Sequence, residues 1–147
     1  MVAQYTAAAL VSENKVLSHP ASVDSISVSA DQEDHVSMGP IAVRKCGEIL
    51  RNVRAVLAIE MLCAAQAMDF YKDKDGRRKQ PGKGTAIAHD LIREKVPFME
   101  NDRVLHPDIE AVRQLVESNT ILEAVEKAVG PLLLARDVEL PGPNVPA

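Results

Sequence analysis

The segment Ser29-Ala-Asp-Gln-Glu-Asp-His-Val-Ser-Met-Gly39 places Asp31, Gln32, Glu33, Asp34 and His35 at five consecutive positions. A carboxylate in such a setting can accept a hydrogen bond from an imidazole N–H and stabilise its protonated form, which is the chemistry of an acid–base or imidazole-binding group. Glu33 is the candidate for that role. Gln32 and His35 could orient its carboxylate, or could equally brace the loop and cap the helix that follows. Acidic residues ahead of a helix also suit its positive end, and from position alone that structural reading is the ordinary one.

The elements around this cluster are helical. Ala7, Ala8 and Ala9 favour a first helix from about Tyr5 to Leu17, ended by Pro20. Residues 21–34 lack helical periodicity and read as a long loop, of the length that goes with function or disorder. Pro40 suits a first helical turn, and the helix it opens should run to Tyr71, close to 48 Å at the standard rise. Along it, Cys46, Ile49, Leu50, Val53, Val56, Leu57, Met61 and Ala64 recur at three- and four-residue steps, and from Ala58 to Ala67 only Glu60 and Gln66 are polar. That predicts burial on several sides.

Asp75-Gly76 and Pro81-Gly82 break the pattern, and shorter helices follow over Thr85–Val96, Pro107–Glu117 and from Asn119 or Thr120 to Val129. The expected architecture is all-α: long, near-antiparallel helices in a bundle, with shorter C-terminal helices. Residues 1–138 are expected to form one helical domain and residues 139–147, with Pro141, Pro143 and Pro146, a flexible tail.

Composition narrows the partners. A net charge of −4 with scattered basic residues gives no footprint for nucleic acid. No apolar run reaches the roughly 20 residues that span a bilayer, and the opening does not read as a signal peptide, so a cytosolic setting is expected. With two Phe, two Tyr and no Trp among 46% hydrophobic residues, the core must be aliphatic. Cys46 and Cys63 share one helix and lie about 25 Å apart, too far for a disulfide, and are expected to be half-buried thiols.

Glu60 falls on the apolar stripe of the long helix, where an unpaired carboxylate would be costly. The expectation is a structural role, paired with a cation or amide across a helix contact. His19, His35, His89 and His106 have no i, i+4 pairing and the cysteines no CxxC spacing, so no metal site is indicated. The stretch from Gly76 to Lys83 fails the phosphate-loop pattern in both spacing and context, which leaves a surface turn.

Several blocks together resemble the C-terminal half of the aromatic amino acid lyases. These are Gln4-Tyr-Thr-Ala-Ala-Ala-Leu-Val-Ser-Glu-Asn-Lys15, His19-Pro-Ala-Ser-Val-Asp-Ser25, the acidic cluster itself, Leu57-Ala-Ile-Glu-Met-Leu-Cys-Ala-Ala-Gln-Ala-Met-Asp69, Pro81-Gly-Lys-Gly-Thr85, Leu91-Ile-Arg-Glu-Lys-Val-Pro-Phe98 and Pro107-Asp-Ile109. The version Gln32-Glu-Asp-His-Val-Ser37 is similar to the histidine-deaminating members rather than to those acting on phenylalanine or tyrosine. The resemblance implies non-oxidative deamination of L-histidine to trans-urocanate and ammonia, with Glu33 contacting the substrate side chain. Two departures stand out: Ser27 where the family commonly has Pro, and Asp31 where it has Asn. An added carboxylate beside Glu33 would raise its pKa if both were buried.

The family's electrophile, a methylidene-imidazolone, is implied to arise from an internal Ala-Ser-Gly; here Ala21-Ser22 is followed by Val23. The family's catalytic tyrosine and carboxylate-binding arginine are implied to lie in its other half. The chain alone is therefore expected to be catalytically incomplete, with no cofactor of its own. Its expected partners are further copies of itself or a separate N-terminal lyase half. The alternative is a non-catalytic helical oligomerisation module, or a remnant of the lyase.

Overall fold

Pro20, Pro40 and the turn residues after Phe70 divide the chain at the points where its helices begin and end. The computed structural model describes residues 2–23, 26–71, 76 and 80–133. It contains α1 (Val2–Leu17), α2 (Gly39–Phe70), α3 (Lys83–Lys95), α4 (His106–Glu117) and α5 (Thr120–Val129). The expected all-α architecture is the one observed, and among the described residues the nearest approach to a strand is an isolated antiparallel bridge between Val28 and Glu33. Residues 72–75 and 77–79, the latter part of the failed phosphate-loop segment, and the Pro-rich tail lie outside the described residues.

Local chemistry accounts for the helix ends. Met38 turns left-handed (φ 51°) and its carbonyl accepts from the amides of Ile41 and Ala42, with Pro40 in the first turn of α2. Asn119, also left-handed at φ 58°, makes the corner between α4 and α5, and Gly130 at φ 91° ends α5. Gly84 sits close to α5: a Cβ there would lie 3.1 Å from Val125 Cγ1, a tight contact that its absence relieves. Lys83 Nζ donates to the Ala128 carbonyl at 2.7 Å, tying the start of α3 to the end of α5.

α1 and α2 form an antiparallel pair. Near the α2 start, Lys45 donates to the His19 carbonyl; further on, Asn52 donates to Glu13 Oε2 at 2.7 Å and Asn14 Oδ1 at 3.0 Å; and Val2 shares a cleft with Ile59 and Ala67. Glu13 and Asn14 thus face the long helix. α4 lies against α2, where Arg54 meets Glu117 at 2.7 Å, and Glu117 in turn meets Arg113 at 2.8 Å. Arg113 also holds Glu110 through both carboxylate oxygens, which lowers the Glu110 pKa to about 2.

The core occupies only one end. Ala58 and Ala65 of α2, Ile92 of α3, Val96 after it, Val112 and Leu115 of α4 and Ile121 of α5 form one buried cluster. No residue of α1 is buried, and on α2 burial begins at Ala58. The expected all-round burial from Ala58 to Ala67 is therefore met within the chain only at Ala58, Ile59 and Ala65. Cys46 and Cys63 are exposed and free rather than half-buried. Glu60 is exposed too, and no cation or amide of the described chain pairs with it, because α3 and α4 cover the opposite side of α2.

What remains uncovered has a pattern. Val43, Leu50, Val53, Leu57, Ala64 and Ala67 are all exposed, with Cys46 and Glu60 filling the intervening steps. Those positions alternate three- and four-residue spacings, a heptad stripe along the whole of α2.

Val112 is fully buried, whereas Val104 is 77% exposed. Val112→Ala is expected to cost about 2 kcal/mol of unfolding free energy and Val104→Ala less than about 0.5, as read by urea denaturation. Equal costs would show that the core lies elsewhere.

Candidate functional site

The loop carrying Glu33 is built by backbone strain. Ser29, Ala30 and Asp31 all adopt left-handed conformations, at φ 55°, 53° and 67°. Each costs about 1 kcal/mol or more for a residue other than glycine. The reversal closes because the Gln32 amide donates to the Ser29 carbonyl at 3.2 Å, and Val28 and Glu33 exchange backbone bonds of 2.8 and 3.3 Å. Glu33 is thus fixed by its main chain while its side chain stays exposed.

Ser27 and Asp31 are bonded to each other. Ser27 Oγ donates to Asp31 Oδ1 at 2.6 Å, a contact that a proline at position 27 could not make. A hydrogen bond across the base of the turn supplies restraint where ring rigidity would otherwise do so. The Asp31 and Glu33 side chains are both exposed within this chain, not buried beside one another.

Gln32 and His35 are exposed as well, and neither hydrogen-bonds the Glu33 carboxylate; the His35 ring lies 3.8 Å from Asp34 instead. The structure therefore places the three sequence candidates on one loop without gathering their side chains around a ligand. Glu60, far along α2, is apart from them. Among the described residues no group of three or more His, Cys, Asp or Glu side chains converges in a way that could hold a metal. No helix among them is long and apolar enough to cross a membrane.

A second polar constellation escaped the sequence reading. Asp69 of α2 receives Arg93 Nε at 2.8 Å and lies 3.0 Å from His89 Nε2, while His89 Nδ1 lies 3.2 Å from Asp90. Arg93 also donates to Gln66 Oε1 and to the Val96 carbonyl, and Gln66 bonds both the amide and the carbonyl of Met99. Its signal was present: His89 and Arg93 are four apart on α3, and Gln66 and Asp69 three apart on α2, so each pair shares a face. Burial alone would raise the Asp69 pKa, but the hydrogen bonds from Arg93 and His89 outweigh it and hold the carboxyl below its ordinary value.

This pin seals one side of a cleft of about 590 Å³ between the start of α1, the later half of α2 and the α3–α4 connection, lined by Val2, Ile59, Leu62, Cys63, Phe70 and Met99 among others. Arg103 holds that connection in shape, pairing with Asp108 at 2.8 Å and donating to the Pro97 carbonyl at 2.9 Å. The cleft begins at Ile59, about 30 Å along α2 from the helix start beside the Glu33 loop. The apolar cleft and the acidic loop are separate features.

A bundle of this shape, with a strained acidic loop feeding its longest helix, has close counterparts. The family model for aromatic amino acid lyase matches residues 1–94. The chain belongs to the aromatic amino acid lyase family. Among its relatives, the histidine ammonia-lyase of Symbiobacterium thermophilum is 57% identical over 132 residues, 90% of this chain and 25% of that protein. The histidine ammonia-lyase of Natranaerobius thermophilus is 54% identical over the same shares. The crystal structure of histidine ammonia-lyase from Trypanosoma cruzi superposes with a TM-score of 0.79 at 44% identity, covering 86% of this chain and 24% of that one. The chain spans about a quarter of the length of the curated relatives it matches, and corresponds to their C-terminal part. The family derives its prosthetic group from its own polypeptide, and these 147 residues contain no Ala-Ser-Gly from which to form it.

Two measurements probe this geometry. Ser27→Ala is expected to speed amide exchange at Glu33 by about fivefold, the worth of one hydrogen bond of about 1 kcal/mol; an unchanged rate would remove the brace from the loop. Because the folded-state pKa of Asp69 lies below its unfolded value, its contribution is complete above the ordinary carboxylate range and is lost as pH falls through the folded value. Asp69→Asn should therefore cost about 2 kcal/mol near pH 7, with the gap to the parent protein narrowing in acid; a gap independent of pH would contradict the ionic pin.

Proposed function

We propose that this chain acts as the C-terminal module of a histidine ammonia-lyase. Its task there is to present Glu33 to a site completed by polypeptide that carries the Ala-Ser-Gly triplet. The observation that carries the reading is the identity of over 50% with histidine ammonia-lyases across some 130 residues, in a segment that includes the strained Glu33 loop. When formed, the prosthetic group supplies the electrophile for loss of ammonia from L-histidine. What this chain contributes is a carboxylate able to accept the substrate's imidazole N–H, held by a loop whose shape is set before substrate arrives. Gln32 and His35 are its immediate neighbours on that loop, free to turn toward a substrate brought by the rest of the enzyme.

The exposed stripe of α2 is the surface on which this module meets other lyase chains, in the cytosol. The same stripe favours a second reading, in which the chain is a helical oligomerisation module without catalysis. The difference lies in whether the module can complete a site.

The purified chain is expected to form no urocanate from L-histidine. Mixed with a matched N-terminal lyase half, it should support turnover, and Glu33→Gln should lower kcat by about a hundredfold in that mixture, with Glu60→Gln changing it little. Urocanate production by the chain alone, or equal effects of the two substitutions, would refute the assignment. Assembly without turnover would favour the oligomerisation module.

A further inference from the structure

The Glu33 loop has two stems, the end of α1 and the start of α2, and basic residues of both stems meet in one place. Lys15 and His19 on the first stem and Arg44 and Lys45 on the second line an open pocket of about 620 Å³. The chain as a whole carries a net charge of −4, so this local excess of cations runs against its average. Lys15, His19 and Arg44 are exposed, and Lys45 is half-buried.

Part of this charge has an ordinary structural use. Lys15 lies in the last turn of α1, where a cation suits the negative helix end, and Lys45 donates to the His19 carbonyl. Arg44 has no such use. It stands in the second turn of α2, toward the positive end of that helix, and its guanidinium makes no hydrogen bond or ion pair among the described residues. Glu48, four residues further along α2, is the one carboxylate lining the pocket, and it too forms no ion pair among the described residues.

We propose that this pocket binds a phosphate group, free or carried as a monoester, held between the two stems by Arg44, Lys15 and Lys45, with His19 donating from a ring nitrogen. Three cations against one carboxylate leave an excess of two positive charges, which matches a phosphate dianion and exceeds what a single carboxylate would need. The guanidinium fork of Arg44 spans two phosphate oxygens, while the lysines act as point charges. Lys45 has three N–H groups and the His19 carbonyl takes one, so the contact that already ties the stems stays in place when an anion arrives. Leu17 and Ile41 supply an apolar wall for the carbon group of an ester. Bridging α1 to α2, the ligand adds a second tie across the base of the loop that carries Glu33. The donors remain open to solvent, so binding is weak and falls with salt.

The test titrates the full 147-residue chain with inorganic phosphate at constant ionic strength, followed by calorimetry and by amide shifts in NMR. Saturable binding is expected, with shifts centred on His19 and residues 41–48. Amide exchange at Gln32 and Glu33 should slow about threefold once the site is filled. Arg44→Gln is expected to weaken binding about tenfold and Arg44→Lys to restore part of the loss, while Arg51→Gln, on the same helix but outside the pocket, leaves it unchanged. A titration without saturation, or equal losses from Arg44→Gln and Arg51→Gln, would overturn the site in favour of a diffuse surface field. Exchange at Glu33 that stays the same with the site filled overturns the bridging of the stems. Methyl phosphate separates the two sources: affinity equal to or below that of inorganic phosphate assigns the site to the free anion, and tighter binding assigns it to a monoester seated on Leu17 and Ile41. None of these readouts involves urocanate formation, so they stand or fall apart from the lyase-module reading.

Discussion

The structure turns on a mismatch of length: α2 runs for 32 residues, yet the core that supports it begins only at Ala58. From that residue onward, α3 and α4 fold back on the helix and bury its inward face, with α5 packed against both of them. Before it, α2 meets α4 through the Arg54–Glu117 pair and α1 through Asn52, Glu13 and Asn14 and the Lys45 contact to the His19 carbonyl, with no buried side chain on α1. Ordering the 16 residues of α1 costs on the order of 1–2 kcal/mol each in backbone entropy, and one exposed helix contact does little to offset that. The arm formed by α1 and the first half of α2 is therefore held less firmly than the end with the core.

That division explains how the polar groups are used. At the core end, Asp69, His89, Arg93 and Gln66 satisfy one another and the backbone of the α3–α4 connection, and among the described residues no buried side-chain nitrogen or oxygen lacks a partner. At the other end, Glu33, Gln32 and His35 lie exposed on a loop held by left-handed residues and the Ser27–Asp31 bond. Strain of this kind persists only where surroundings fix it. Here the fixing contacts are local, which lets the loop keep its shape without a core beneath it.

Much of this was legible in the sequence, and what was missed has a common cause. Helix boundaries followed from Pro20, Pro40, Pro97 and Pro107 and from three- and four-residue periodicity, and they fall within a few residues of those observed, because capping and proline geometry are local properties. Burial is not local. Cys46, Cys63 and Glu60 lie on an apolar stripe, so the pattern implied partly covered thiols and a paired carboxylate, yet this chain holds nothing to cover them. The Asp69 pin was overlooked for a related reason: its halves lie on different helices, and only the packing of α3 on α2 makes Gln66, Asp69, His89 and Arg93 one network.

The same logic bears on what the apolar pattern of α2 encodes. A helix that met only this chain's own core would favour polar residues at positions 50, 53 and 57, which stay 48%, 39% and 38% exposed. Leu, Val and Leu stand there instead, at heptad spacing and continuous with the alanines at positions 64 and 67. The periodicity of α2 therefore describes two faces at once: an inner one that the chain closes with α3 and α4, and an outer one that the described residues leave exposed.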